Sequence, residues 1–219
     1  MRLRGLCAAA IAVACATPAL AQPAETRPGL YGQLTVGSGV AGSADLGGRL
    51  SGPDISLSGS ASVDVDPGYF ASLSLGNSFT NGFALELEPM FVKNDADHDD
   101  LSTLVGASIN GSVRAYGVMA NAIYAVAPIG PTVLHVGGGV GYGETKIRAG
   151  GLADKDAGFM WQVMAGVSYP MTETLTYDLT YRYLTLPKYK VSGSVGAYSG
   201  AAKIDTSLHV LSAGARMKF

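Results

Sequence analysis

The sequence predicts an all-β fold, an eight-stranded antiparallel up-and-down transmembrane β-barrel. Three observations indicate this fold. Apolar and polar residues alternate with a period of two in eight segments. The connections between those segments alternate between long polar stretches and short turns, and aromatic residues fall near both ends of the segments on the apolar face. This combination is typical of a barrel whose outer surface meets lipid.

The N-terminal 21 residues are predicted to be a signal peptide, and residues 22–219 the barrel domain. Two arginines precede an apolar run from Leu6 to Ala16, and Ala19-Leu20-Ala21 provides a small-residue cleavage site. Both cysteines lie inside the signal, so the mature chain is expected to have no thiol or disulfide. Removing the two arginines leaves 13 of the 15 basic residues against 17 acidic ones. This mildly acidic balance argues against nucleic acid as a partner.

The first three predicted strands show the alternation most simply. The first, over residues 29–37, alternates leucine and valine with tyrosine, glutamine and threonine. The second, over 69–76, alternates leucines with serines. The third, over 83–92, follows an Asn-Gly turn signal and carries Glu86 and Glu88 on the face opposite its leucines. Two carboxylates in mid-strand must point away from lipid, because an unpaired charge in an apolar medium is costly.

Glycine and proline mark the middle of the chain. The fourth strand, predicted over residues 112–125, alternates less regularly but keeps an apolar outer face. The two prolines that follow it belong in a turn, because proline cannot donate to a strand ladder. The fifth strand, over 132–142, places glycines on the same face as His135. Glycines on that face leave room for bulky partners inside the barrel.

The last three predicted strands each carry polar or charged residues on the inward face. The sixth, over 157–169, sets aromatic residues and valine against methionine and glutamine. The seventh, over 174–186, sets leucine and tyrosine against Asp178 and Arg182. The eighth, over 206–219, places Arg216 opposite an apolar face that ends on an aromatic residue. We expect the barrel-assembly machinery to recognise this final strand.

The connections between the predicted strands fall into two classes, long and short. By the predicted boundaries, polar stretches of 30, 19, 14 and 19 residues alternate with turns of about 6, 7 and 4 residues. Long loops on one side and short turns on the other are typical of outer-membrane barrels. Weak alternation inside the first stretch, residues 38–67, allows an additional hairpin there.

Aromatic residues form two predicted girdles on the lipid-facing surface. Amphipathic rings prefer the two membrane–water interfaces, with aliphatic residues between them. The girdle at the turn side comprises Phe83, Tyr124, Tyr169, Tyr177 and Phe219. The girdle at the loop side comprises Tyr69, Phe91, Tyr116, Tyr142, Phe159 and Tyr183.

These features resemble the porin-family outer-membrane β-barrel proteins, small barrels related to the transmembrane domain of outer membrane protein A. The resemblance rests on the Ala19-Leu20-Ala21 cleavage site, the glycine-rich stretch Val136 to Gly143, the strand Tyr177 to Tyr183 and the terminal segment Gly214 to Phe219. It implies the bacterial outer membrane as the location, with membrane lipids and lipopolysaccharide as contacts and a monomeric state. Such barrels include structural anchors, adhesins, surface antigens and narrow pores.

The barrel interior is predicted to hold a network of charges. An eight-stranded barrel is barely wide enough for its own side chains. Charges confined there must pair, because an isolated buried ion costs several kcal/mol. We therefore predict a lumen plugged by paired carboxylates and arginines, in a protein with a structural or surface-interaction role. The alternative is a small porin whose narrow, gated ion path is lined by the same residues. The predicted network is Glu86, Glu88, Asp178, Arg182 and Arg216.

No catalytic, cofactor or metal site is predicted. A hydrolase would need a serine and a histidine within hydrogen-bond reach. His209 and Ser212 are three residues apart on one strand and so point to opposite faces, and no serine partner is expected for His135. The run Asp95 to Asp100 begins like a calcium loop but lacks the glycine and the bidentate glutamate that such a loop requires.

Overall fold

The structure is a computed structural model that describes residues 28–64, 68–95, 111–149, 152–195 and 198–219. The predicted signal peptide and residues 96–100 of the acidic run lie outside these ranges. The described part of the chain contains no helix long and apolar enough to cross a membrane.

Ten antiparallel strands make up the described structure. In chain order they are β1 (Gly29–Ser51), β2 (Ser56–Asp64), β3 (Tyr69–Ser78), β4 (Phe83–Asp95), β5 (Gly111–Ile129), β6 (Thr132–Ala149), β7 (Leu152–Pro170), β8 (Leu175–Thr185), β9 (Tyr189–Val195) and β10 (Tyr198–Lys218).

Eight of these strands close a barrel. Neighbours pair in the order β1-β3-β4-β5-β6-β7-β8-β10, and β10 pairs back onto β1. This closing ladder begins at Tyr31 opposite Lys218 and continues to Ser51 opposite Ser199, with one irregularity between Gly39 and Ala41. Closure leaves no strand edge exposed in the barrel wall. The predicted eight-stranded antiparallel barrel is confirmed.

The two ends of the barrel differ. At one end, called the turn end, short turns join β3 to β4, β5 to β6 and β7 to β8. Two of these turns contain a glycine in the left-handed region, Gly82 at φ 83° and Gly130 at φ 61°, where a side chain would strain the backbone. The opposite end, called the loop end, is where the sequence predicts the four long polar stretches, and much of three of these stretches is strand.

The loop end extends beyond the barrel as a sheet. Strand β2 pairs with β1, and β9 pairs with β10, so β2-β1-β10-β9 form a four-stranded extension. The hairpin that the sequence allowed in residues 38–67 is therefore present. Strand β9 and the first part of β10 lie in a stretch predicted to be only polar loop. The end of β6 and the start of β7 lie in another such stretch, because β6 continues to Ala149 and β7 begins at Leu152. Small polar residues give little hydropathy signal, but the ladder still satisfies their backbone groups.

Outward and inward faces follow the predicted alternation. Leu179 is 50% exposed and Leu211 46% exposed on the outer surface, whereas Glu88 is fully buried inside. Exposed leucine, valine and aromatic side chains occur on all eight barrel strands. Such a surface requires lipid around it, because a large contiguous apolar surface is unusual on a soluble monomer.

The lumen has an apolar half and a polar half. The apolar half lies toward the loop end and contains methionine, leucine, valine and a phenylalanine. The polar half lies toward the turn end. The sequence analysis assigned most of these residues to the inward face but did not foresee a separate apolar layer. Its buried members are Phe70, Met90, Val92, Ala115, Met119, Met160, Leu184, Leu186, Leu208 and Val210.

Substitution of Leu179 by arginine tests the lipid-facing surface. Charged residues near the bilayer midplane of a barrel cost about 2–4 kcal/mol. We expect Leu179→Arg to lower the free energy of unfolding by that amount, measured by urea titration in lipid vesicles. The matched control is Leu57→Arg, since Leu57 is 64% exposed on β2 beyond the barrel. An equal loss in both variants would contradict a lipid-facing position for Leu179.

Candidate functional site

A buried carboxylate organises the middle of the lumen. Glu88 on β4 is fully buried and accepts five hydrogen bonds. Arg182 Nη1 donates to both carboxylate oxygens, at 2.8 Å and 3.0 Å. Ser72 Oγ donates at 2.7 Å, Asn121 Nδ2 at 2.7 Å and Gln162 Nε2 at 2.9 Å. We call these five residues the Glu88 belt. Its members come from β3, β4, β5, β7 and β8, so the belt crosses the lumen.

Arg182 connects the belt to its surroundings. Its guanidinium lies 5.0 Å from the centre of the Phe70 ring, which belongs to the apolar layer. Its Nε lies 3.4 Å from Ser212 Oγ on β10. Charge, ring face and hydroxyl together compensate the guanidinium for the water it loses on burial. Phe70 on β3 and Ser212 on β10 therefore hold Arg182 in position for its ion pair with Glu88.

A glycine on β6 makes room for the belt. Gly139 is paired with Asn121 on one side and with Gln162 on the other. A Cβ at Gly139 would overlap Asn121 Oδ1, so no side chain fits there without displacing the amide. The same Oδ1 accepts a hydrogen bond from Gln162 Nε2 at 2.9 Å. Two long amides can thus meet across β6 because that strand has no side chain between them.

A second polar group lies nearer the turn end. Arg216 Nη2 donates to Asp178 Oδ1 at 2.8 Å, and Arg216 Nε donates to Gln33 Oε1 at 3.1 Å. The Arg216 guanidinium also lies 5.1 Å from the Tyr31 ring centre. The Tyr31 hydroxyl donates to Glu86 Oε1 at 2.8 Å. We call this group the turn-end network.

The structure therefore places the five predicted charges in two groups. Glu88 and Arg182 form one ion pair, and Asp178 and Arg216 form another. Glu86 is held by the Tyr31 phenol, a partner that the sequence analysis did not name. Tyr31 and Ser72 occupy inward positions in the alternation, and this was the one available signal for their involvement.

One expectation about His135 was wrong. The sequence analysis gave it no serine partner, but Ser168 Oγ lies 3.0 Å from His135 Nδ1. Ser168 on β7 is paired with Val133, two residues from His135 on β6, a relation that depends on register and not on sequence spacing. The His135 Nε2 atom lies 3.2 Å from Thr180 Oγ1.

The Ser168 hydroxyl is not oriented to give its proton to His135. Its single proton is directed to Asp178 Oδ1, at 2.5 Å, because a carboxylate can only accept. A neutral His135 then donates from Nδ1 to Ser168 and accepts at Nε2 from the Thr180 hydroxyl. In that arrangement the imidazole cannot remove the serine proton, which a nucleophilic serine would require. These hydrogen bonds connect inward side chains of β6, β7 and β8 to one another.

A small cavity opens beside this network at the turn end. Its volume is about 40 Å³, enough for a few water molecules. His135, Ser168 and Arg216 supply its polar wall, and Val133 contributes to the apolar wall. Asp178 Oδ2 is buried nearby in the network without a hydrogen-bond partner. The cavity therefore borders the polar half of the lumen at the turn end.

The predicted girdle residues lie on the outward face. Exposed members occur at both ends, including Phe219 at the turn end and Tyr142 at the loop end. Two pairs form ring contacts across neighbouring strands: Phe83 with Tyr124 at 4.7 Å and Phe91 with Tyr116 at 5.1 Å. The remaining members of the two predicted girdles are Tyr69, Phe159, Tyr169, Tyr177 and Tyr183.

Among the described residues, no group of three or more histidine, cysteine, aspartate or glutamate side chains could hold a metal ion. Residues 96–100 of the partial calcium-loop pattern fall outside those residues.

Comparison with known proteins identifies what the chain is similar to. A family model described as the outer membrane protein beta-barrel domain matches residues 7–219. An uncharacterized protein of Brucella suis is 29% identical over 151 residues, which cover 60% of this chain and 53% of that protein. The chain thus spans about half the length of the curated relatives it matches.

Two solved barrels share the fold. The outer membrane protein OprG from Pseudomonas aeruginosa has 13% identity and a TM-score of 0.50, with 86% of this chain and 97% of that chain covered. The outer membrane protein AlkL, solved in DMPC lipid bilayers, has 18% identity and a TM-score of 0.50, with 93% and 96% covered. At these identities the likeness concerns the fold alone.

Substitution of Gly139 by alanine tests the Glu88 belt. The added methyl group would displace Asn121 and disturb its hydrogen bonds to Glu88 and Gln162. We expect a loss of about 1–3 kcal/mol in the free energy of unfolding, the usual cost of overpacking. The matched control is Gly138→Ala, whose Cβ would have its nearest neighbour at an ordinary 3.5 Å. Equal stability of the two variants in urea titrations would contradict the belt geometry.

Proposed function

The chain belongs to the outer membrane protein β-barrel domain family, and we propose that it is a non-enzymatic, monomeric barrel with a plugged lumen and a structural or surface-interaction role. The turn end then faces the periplasm and the loop end faces outward, as in other bacterial outer-membrane barrels. The single observation that carries the proposal is Glu88, which is fully buried and held by five hydrogen bonds inside a lumen that the barrel's own side chains fill.

The packing of the lumen supports a plug. An open path needs water along its length, but Glu88 and Gln162 have almost no exposed surface. Above them, Met119, Met160 and Leu184 are fully buried in the apolar layer. An ion leaving the belt toward the loop end would enter an apolar region with no ligands to replace its hydration, which is strongly unfavourable.

The extension β2-β1-β10-β9 supports a role at the cell surface. It projects beyond the barrel at the loop end, and its β2 strand is exposed from Ser56 to Ser60. Such a sheet adds nothing to the barrel wall, but it displays serine, glycine and charged residues to the outside. Contacts with other molecules at the cell surface are the use that this position favours.

The alternative is a narrow, gated ion path, and one observation favours it. The cavity beside His135, Ser168 and Arg216 opens the polar half of the lumen at the turn end. Asp178 Oδ2, in the turn-end network, is buried without a hydrogen-bond partner. A path would then require the Glu88 belt and the apolar layer to rearrange together.

Planar-bilayer recording tests the plug. The purified barrel is expected to give no conductance steps, because the Glu88 belt and the apolar layer both obstruct the lumen. The control variant Lys203→Ala, changed on the extension, should be equally silent. A stepwise conductance in the unmodified protein that changes in Arg182→Ala but not in Lys203→Ala would refute the plug and favour the gated path.

Removal of the extension tests the surface role. Ser43 already pairs with Asp64, and Leu186 N donates to Thr206 O, so residues 44–63 and 188–204 can each be replaced by a two-residue turn. We expect the shortened barrel to keep its heat-modifiable migration on gels and to restore detergent resistance to a deletion strain. Its attachment to surfaces should fall severalfold. Unchanged attachment would contradict the surface role.

A further inference from the structure

Four basic residues stand in one row across four neighbouring barrel strands. The strand register places Lys93 on β4 opposite Arg114 on β5, and Arg114 opposite Lys146 on β6. Lys146 is in turn opposite Lys155 on β7. We call these four residues the basic row. They are far apart in the sequence, so only the register reveals the row.

The row lies on the outward face, just beyond the loop-end girdle. Phe91 and Tyr116 are paired with each other, and Lys93 and Arg114 follow them by two residues toward the loop end. Residues two apart in a strand share a face and are separated by roughly 6.6–6.8 Å along it. The Lys146 ammonium lies 5.4 Å from the centre of the Tyr116 ring, so this side chain leans back toward the girdle.

One carboxylate serves two cations of the row. Glu144, on the same outward face of β6, contacts Lys146 at 3.2 Å and Lys155 at 3.4 Å. Like charges directly opposite each other destabilise a strand pair, and an anionic group bound beside the row would offset that repulsion.

The other side of the loop end is different. Lys188, just before β9, and Lys203 on β10 both contact Asp205, at 3.3 Å and 2.8 Å. The pKa of Asp205 is lowered chiefly by the hydrogen bond from Lys203. That cluster lies beyond the barrel wall, away from the girdle. The basic row, by contrast, stands directly next to the girdle on β4 to β7.

We propose that the basic row binds the phosphate groups of a lipid in the outer leaflet, the phosphorylated lipid A portion of lipopolysaccharide. The height fits, because the row stands where head groups meet an aromatic girdle. The chemistry fits as well, because a guanidinium pairs with phosphate through several directed hydrogen bonds and lysines add attraction as point charges. Arg114 Nε is buried without a hydrogen-bond partner. Phosphate would also relieve the repulsion within the row.

This site is independent of whether the lumen conducts. It lies on the outer surface, and lipid A would reach it laterally within the leaflet. The acyl chains would then lie against the aromatic and aliphatic side chains below the row. Neither the Glu88 belt nor the extension takes part.

Native mass spectrometry of the full barrel in detergent micelles tests the site. The protein is titrated with bisphosphorylated lipid A, with dephosphorylated lipid A and with inorganic phosphate. We expect saturable binding of the bisphosphorylated form only. Each removed cation should raise the half-saturating concentration about fivefold, the worth of one basic residue near an anionic membrane surface. Arg114→Gln and Lys146→Gln are the single variants, and Lys188→Gln/Lys203→Gln is the matched control with its cations removed elsewhere.

Glu144→Gln provides a test in the opposite direction. Loss of the carboxylate beside the row should tighten lipid A binding several-fold, whereas a misfolded protein would bind less. Unboiled gel migration checks that each variant keeps its barrel. The proposal would be overturned if dephosphorylated lipid A bound as tightly as the bisphosphorylated form. It would also be overturned if inorganic phosphate, at the same concentration as the lipid, bound equally well. The third contrary outcome is a loss of affinity in the control that equals the loss in the row variants.

Discussion

The ladder between β1 and β10 is the constraint on which the rest of the structure depends. Hydrocarbon offers no partner to backbone N–H and C=O groups, so a sheet in a membrane must close on itself. Here the first and last barrel strands pair from Tyr31 and Lys218 onward and continue past the barrel rim to Ser51 and Ser199. The same ladder therefore closes the wall and supports the extension. Without that seam, both edges of the sheet would be open to lipid.

Closure with eight strands fixes the width of the interior, and the width determines its chemistry. There is too little space for a hydrated charge, so Glu88 has protein donors in place of water. The glycines of β6 are part of this solution. Gly139 gives its space to Asn121, and Gly141 gives its space to the sulfur of Met119. Small residues on one strand thus allow large residues from its neighbours to meet across the lumen.

The sequence predicted the fold well because the barrel has a strict two-residue period. Glu86, Glu88, Asp178 and Arg182 could be assigned to the inward face from alternation alone. Which of them would pair could not be predicted, since pairing depends on strand register and tilt. The contact between a serine on β7 and a histidine on β6 was missed for the same reason. Strand β9 was missed because its ladder consists largely of small residues whose pattern carries little hydropathy contrast.

Register also explains how the basic row tolerates its own repulsion. Adjacent strands lie about 4.8 Å apart, which is less than the screening length of about 8 Å at physiological salt. Salt alone therefore does not fully screen the repulsion between these charges. Glu144 forms ion pairs with both Lys146 and Lys155 and so reduces the repulsion between them. A row of cations placed at a head-group surface is stabilised by the anions of that surface. Cations whose mutual repulsion would weaken a soluble sheet are thus attracted, at this height in a membrane, to the anions of the surrounding leaflet.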